Sequence, residues 1–210
     1  ISHFFFFFMP MVKVIVVGSG GREHTIAWKL AQSSSIDEVI CVPGNGGTAT
    51  EKKCRNISLS QGSYVEIAKK EGCSFAVIGP EDPLAEGLAD SFWEAGIPCV
   101  GPKSKGAQLE ASKDLAKDFM AKYNVACPAS KTFENETDAH NYIDQHGAPI
   151  VIKADGLAAG KGVVVAATLS EAHKAVTELM ADGRVGEAGK KLVIEDYLEG
   201  VEISILAAVS

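Results

Sequence analysis

Residues 151–163 read VIKADGLAAGKGV, and the fold turns on how they are read. An apolar run, Pro149-Ile150-Val151-Ile152, leads in, and a second, Val163 to Ala167, leads out. Each has the length and β-branched content of a buried strand. Between them lies a loop of Gly and Ala flanked by Lys153 and Lys161. Strand, small-residue loop, strand spells a hairpin with a flexible tip. Gly156, Gly160 and Gly162 let the backbone come close to a ligand. Successive amide N–H groups and two ammonium groups make a cradle for phosphate oxygens. An ordinary Gly-rich turn with two solvated lysines fits the same residues, and the loop alone does not choose. The stretch is not a Walker P-loop, which needs G-x-x-x-x-G-K-[ST] between a strand and a helix. Here Gly156 and Gly160 are too close, Gly162 follows Lys161, and the next element is a strand.

The whole chain narrows the classes. With 46% hydrophobic and 22% charged residues, 210 residues can bury a sizeable core as one large domain or two smaller ones. A net charge of −7 without a basic stripe argues against a general nucleic-acid or membrane-surface binder. Local lysines can still hold a small phosphorylated ligand. Cys41, Cys54, Cys73, Cys99 and Cys127 are scattered and odd in number, which reads as free thiols in a reducing compartment. The histidines lack metal-ligand spacing. Residues 1–10, ISHFFFFFMP, are too short to span a bilayer and lack a basic n-region and a cleavage site. They read as an artefactual or disordered extension, with the fold beginning near Met11. Residues 200–210, GVEISILAAVS, read as a strand that stops without a turn, so the expectation is the N-terminal portion of a longer protein.

In chain order, Val12 to Val17 suits the first strand of a parallel sheet buried on both faces. Gly18-Ser19-Gly20-Gly21-Arg22-Glu23-His24 follows, then a helical pattern with Ile26, Ala27 and Leu30 on one face. Strand, Gly turn, helix is the phosphate-binding opening of a Rossmann-like unit. A dinucleotide fingerprint wants Gly where Glu23 stands and an acid after the second strand, yet Glu38 to Val42 runs into Pro43-Gly44-Asn45-Gly46-Gly47. NAD is therefore disfavoured, while a simple phosphate is not. Tyr64 to Glu71 is a helix with Ile67 and Ala68 inward. Ser74 to Ile78 is a strand followed by Gly79-Pro80-Glu81-Asp82-Pro83-Leu84. There Asp82 reads as an N-cap, Pro83 as the first helical residue, and Leu84, Leu88, Phe92 and Trp93 as one helix. Three Gly or Gly/Pro loops thus fall at carboxyl ends of consecutive strands, the edge where open α/β sheets bind ligands.

Beyond a strand at Ile97 to Val100, two short helices at 105–111 and 113–123 break the alternation, and a domain boundary is placed between Ala111 and Ser112. A strand at 130–133, a helix from Thr137, the hairpin, a helix at 170–180 and a strand at 191–194 follow. The acidic run Glu195-Asp196-Tyr197-Leu198-Glu199 reads as a solvated connector, and Glu202 falls in the last strand.

GSGGREH, PGNGG, GPEDPL, ASKDLAKDFM, KADGLAAGKGVVV and VIEDYLEGVEIS in this order resemble the glycinamide ribonucleotide synthetase (phosphoribosylamine–glycine ligase) family of the ATP-grasp superfamily. The likeness runs from Val12 to Ser210. It implies an α/β protein: a Rossmann-like parallel-sheet domain over 11–111, then the first part of an ATP-grasp α+β domain over 112–210. It also implies ATP-dependent ligation of glycine to 5-phosphoribosylamine through a glycyl phosphate, in cytoplasmic purine biosynthesis, with ATP and Mg²⁺ or Mn²⁺. Lys113 and Lys153 would meet the ATP phosphates, with Lys153 and Lys161 catalytic. Asp155, Gly156, Gly160, Lys161 and Gly162 would form the mobile loop. Glu195, Asp196, Tyr197 and Leu198 would read the adenine edge, and Glu202 the ribose. Gly18, Gly20, Gly21, Arg22, Glu23, Gly44, Asn45, Pro80, Glu81 and Asp82 would line the phosphoribosylamine site. Metal ligands would lie beyond Ser210, so residues 11–210 alone are expected not to turn over. Fusion to later purine-pathway domains is compatible with this pattern. Two alternatives stand beside it: a biotin carboxylase-like carboxylate–amine ligase, and a nucleotide-binding fragment without turnover. As a lysine near the hairpin tip, Lys153 is expected to matter more for ATP than for folding.

Overall fold

A computed structural model describes residues 11–158, 160–182 and 184–207. The chain divides into two compact units, one through Gln108 and one from Leu109. The Phe-rich start lies outside the described residues.

The first unit is built on β1 (Lys13–Gly18), β2 (Glu38–Pro43), β3 (Cys54–Asn56), β4 (Phe75–Ile78) and β5 (Cys99–Val100). All pair in parallel, in the order β3-β2-β1-β4-β5. The two-residue period of a strand splits β1 between two cores. Ile15 and Val17 face one, with Ile67, Ala68 and Phe92 from α2 (Tyr64–Glu71) and α4 (Leu88–Glu94). Val14 and Val16 face the other, with Ala27 of α1 (Gly21–Ala31). Helices on both faces are what a near-continuous apolar strand requires.

Two expectations fail here. Residues 82–93 form two helices, α3 (Glu81–Ala85) and α4, because Gly87 adopts φ +90° and ends the first. The N-cap of α3 is Pro80, not Asp82, and Pro83 sits third, where its missing N–H still costs no hydrogen bond. β3 was not anticipated: its three residues carry no apolar pattern and become a strand only through pairing with β2.

The second unit holds α6 (Lys113–Lys122), which follows α5 (Ser104–Ala111), and an antiparallel sheet. The sheet comprises β6 (Ser130–Phe133), β7 (Ile150–Ala154), β8 (Val163–Ala166) and β9 (Leu192–Asp196), ordered β6-β9-β7-β8. The expected hairpin is β7–β8, with Lys153 opposite Val163. Ile150, Ile152, Ala154, Leu192 and Ile194 turn one face onto α7 (Glu136–His146) and α8 (Leu169–Met180). The α8 stripe Ala172, Ala175, Val176 and Leu179 is buried, as its 3.6-residue spacing requires. Residues 201–207 form no strand: Val201, Ile203 and Leu206 are 92%, 76% and 98% exposed. Strand propensity there finds no ladder partner among the described residues, and residues 208–210 lie outside them.

Candidate functional sites

In the first unit the chain leaves β1 toward β2 on one side and reaches β4 on the other. The carboxyl end of β1 is thus a topological switch point, where open α/β sheets form a crevice. The Gly18–Gly21 turn, the Gly44-Asn45 turn after β2 and the Gly79–Asp82 turn after β4 all stand at this edge, on adjacent strands.

Glu23 organises the crevice. It is 5% exposed, and its Oε2 accepts from Gly20 N–H at 2.7 Å, closing the first turn of α1. Its Oε1 accepts from Arg22 Nε at 2.8 Å, and Arg22 reaches on to Glu81 Oε2 at 3.1 Å. A Cβ on Gly18 would lie 2.5 Å from Glu23 Cγ, and one on Gly79 the same distance from it. The glutamate therefore fills the space that a dinucleotide fingerprint keeps empty with glycine, which gives the disfavouring of NAD a physical basis. The Arg22 guanidinium helps hold the Glu81 carboxyl below its usual range, after a backbone hydrogen bond within Glu81 itself.

Asn45 ties two turns together, its Nδ2 donating to Ser19 O at 2.9 Å and Gly20 O at 3.3 Å. Thr48, 1% exposed, accepts from Asn45 N at 2.8 Å, and Asn56 Nδ2 donates to Asn45 O at 2.7 Å. The sequence reading missed Thr48 and Asn56 because their partners lie across turns and an unanticipated strand. The side chain of Asn56 is spent inside the turn. Ser19, Gly20, Gly21 and Arg22 remain exposed at the helix start, where backbone N–H groups favour an anion.

In the second unit the expected residues divide. Lys113, Lys153, Asp155, Gly156 and Glu195 come together. Asp155 Oδ1 accepts from the N–H groups of Lys113 at 2.6 Å and Asp114 at 3.1 Å, with the Ser112 hydroxyl at 3.2 Å. It is a carboxylate seated on the N-terminus of α6, where the helix dipole favours it. Lys113 Nζ donates to Gly156 O at 2.9 Å, so the root of the glycine loop is fastened to α6. Gly156 has φ +128°, and a Cβ there would lie 3.0 Å from Ala188 Cβ.

Lys153 corrects the reading of a tip lysine. It stands within β7, its side chain is 30% exposed, and its ammonium pairs with Oε1 of Glu195. Glu195 is not a solvated connector residue: its side chain is 2% exposed in β9, and its Oε2 lies 2.5 Å from Lys117 Nζ. Burial works to raise the Glu195 pKa, but the hydrogen bonds from Lys117 and then Lys153 outweigh it, and the group stays below the usual carboxylate range. Lys117 was missed, since a lysine on an amphipathic helix looks solvated until β9 is placed beneath it. One buried carboxylate between two lysines leaves a surplus positive charge beside the glycine loop.

The other expected residues have different surroundings. Asp196 pairs with His146 at 3.1 Å, and Tyr197 and Leu198 are 40% and 65% exposed beyond β9. Glu202 lies in the segment without secondary structure. Gly160 takes φ +77°, Lys161 is exposed in the loop with its N–H on Ala158 O, and the carbonyl of Gly162 accepts from Ala154 N–H. Among the described residues no group of three or more His, Cys, Asp or Glu could hold a metal ion. No described helix is long and apolar enough to cross a membrane.

Comparison with known proteins shows the family of the chain. Residues 12–110 match the profile of the phosphoribosylglycinamide synthetase N domain, and residues 111–210 that of its ATP-grasp (A) domain. A phosphoribosylamine–glycine ligase of Neisseria meningitidis serogroup B is 53% identical over 199 residues, covering 94% of this chain and 47% of the relative. One from Ralstonia nicotianae is 52% identical over 93% of this chain and 46% of the relative. The chain thus spans about half the length of the curated relatives it matches. The crystal structure of the Thermotoga maritima phosphoribosylamine–glycine ligase superposes with a TM-score of 0.72 at 31% identity, over 90% of this chain and 45% of that one. A biotin carboxylase domain of Hydrogenobacter thermophilus 2-oxoglutarate carboxylase, solved with MgADP and bicarbonate, reaches 0.71 at 18% identity over 89% of this chain and 44% of its own, a likeness of fold alone. Matched from residue 12 to residue 210 by its two consecutive domains, the chain belongs to the phosphoribosylglycinamide synthetase family.

Proposed function

We propose that this chain supplies the phosphoribosylamine-binding domain (11–111) and the first part of the nucleotide-binding domain (112–210) of a cytoplasmic phosphoribosylamine–glycine ligase. The observation that carries the reading is the surplus positive charge around Glu195 beside a glycine loop rooted on Lys113. An anion with several oxygens is the ligand such a site favours. In this reading Lys113 and Lys153 hold ATP phosphates, Lys161 and the loop from Gly156 to Gly162 close over them, and the segment from Glu195 to Leu198, with Glu202, receives the nucleoside. A glycine carboxylate oxygen attacks the γ-phosphorus and ADP leaves, giving glycyl phosphate. The phosphoribosylamine nitrogen then attacks the acyl carbon, phosphate leaves, and the nitrogen loses its proton. Carboxylate oxygen is a poor leaving group and phosphate a good one, which is why ATP is consumed. Lysine ammonium groups offset charge on the transferring phosphoryl group. Among the described residues no cluster of three or more His, Cys, Asp or Glu is gathered for a metal, and no step here is routed through one. The switch-point crevice, with Arg22 and the exposed start of α1, suits the phosphate of phosphoribosylamine.

The test is ADP release by the protein at the length of its relatives, with ATP and Mg²⁺. Turnover that requires both glycine and phosphoribosylamine is expected. Turnover driven by bicarbonate in place of glycine would overturn the substrate assignment.

A further inference from the structure

We propose that Lys117 is a positioning residue for nucleotide binding: it holds the charge of Glu195 so that Lys153 can turn to an incoming phosphate. The inference rests on the nucleotide reading above. A buried carboxylate paired with a single lysine pins that lysine, because the lysine cannot leave without uncovering a charge in a poorly solvated place. Glu195 has two partners that are not equivalent. Lys117 is 13% exposed, lies 2.5 Å from Oε2, and also donates to Pro128 O at 3.0 Å, so its ammonium is anchored at two points. Lys153 is 30% exposed, contacts Oε1, and stands two residues before Asp155 at the root of the glycine loop. Lys153 can thus exchange a carboxylate oxygen for a phosphate oxygen while Glu195 remains paired with Lys117. Without Lys117 the same movement would strand Glu195.

A residue that merely braced α6 against β9 would predict something different, and the charges separate the two cases. In the protein at the length of its relatives, K153A, K117M, K117R and the double variant K117M/E195Q are compared for the MgATP KM, kcat and thermal midpoint. K117M is expected to raise the MgATP KM by about tenfold or more, and K117R to restore most of it. The double variant should bind MgATP better than K117M, because a neutral glutamine no longer pins Lys153; a brace would give losses that add. If K117M does not fold, K117Q enters the same comparison. A K153A protein with unchanged MgATP KM would sink the nucleotide reading itself. A raised KM in K153A, with K117M altering only the thermal midpoint or the double variant no better than K117M, would sink this inference and leave that reading standing.

Discussion

Replacing Asp155 with alanine should unfold the second unit more easily, and the structure gives the size. The carboxylate accepts from two backbone N–H groups, Lys113 at 2.6 Å and Asp114 at 3.1 Å, at the start of a ten-residue helix. A hydrogen bond to a charged group contributes about 1.5–3 kcal/mol, and a carboxylate at a helix N-terminus about 0.3–1 kcal/mol more. Asp155 is half-buried, so water replaces part of what is lost and the sum falls at the low end, about 3 kcal/mol. Ser112 continues to cap through Leu115 N–H, which limits the damage to the first turn. Asp155→Asn keeps an acceptor but loses the charge and should cost about half as much. Urea unfolding followed by circular dichroism measures both, with an unchanged m-value expected. Faster amide exchange at Lys113 and Asp114 would place the effect. A change under about 0.5 kcal/mol in Asp155→Ala, or equal losses in the two variants, would refute the argument that a charged cap holds loop and helix together.

Gly79→Ala should destabilise the first unit by about 1–3 kcal/mol, as overpacking does, because its Cβ would meet Glu23 at Oε1 and at Cγ. An unchanged urea midpoint would mean that Glu23 moves aside freely. Acid should weaken the fold through carboxylates held below their usual range: Glu38 chiefly by Arg55, Asp114 by Thr132 and then Lys191. A depressed folded pKa contributes stability that is in place above the unfolded values of 4.5 and 3.8 and is lost as pH falls through the folded ones. Urea midpoints that stay flat from about pH 5 to about pH 3 would contradict this.

What could be read from the sequence was what neighbours in the chain decide. The apolar run of β1 announced two covered faces, the α8 stripe its buried side, and the 151–163 stretch a hairpin. The six ordered motifs identified the family, which the profile matches show. What escaped depends on groups far apart in the chain. Asp155 meets the start of α6 some forty residues away, and Lys117 meets Glu195 across 78 positions, so neither role shows in a local window. β3 exists because β2 offers a ladder, and residues 201–207 show the converse, strand-prone side chains left in water. Gly87 was the local signal that one helix would become two, since glycine is favoured just past a helix end, and the helical spacing of Leu84, Leu88 and Phe92 masked it.

The crowding around Glu23 means that two glycines at one crevice are required for different reasons. Gly18 holds φ +124°, so side chains are resisted there whatever stands nearby. Gly79 has no such backbone demand, and the three atoms nearest to a side chain there all belong to the glutamate beside it. A chain with a shorter residue at position 23 would release position 79 to vary, while position 18 would stay fixed. Tolerance at Gly79 is therefore a property of a pair of sites, and a scan that changes one residue at a time would assign to the glycine a constraint that belongs to its neighbour.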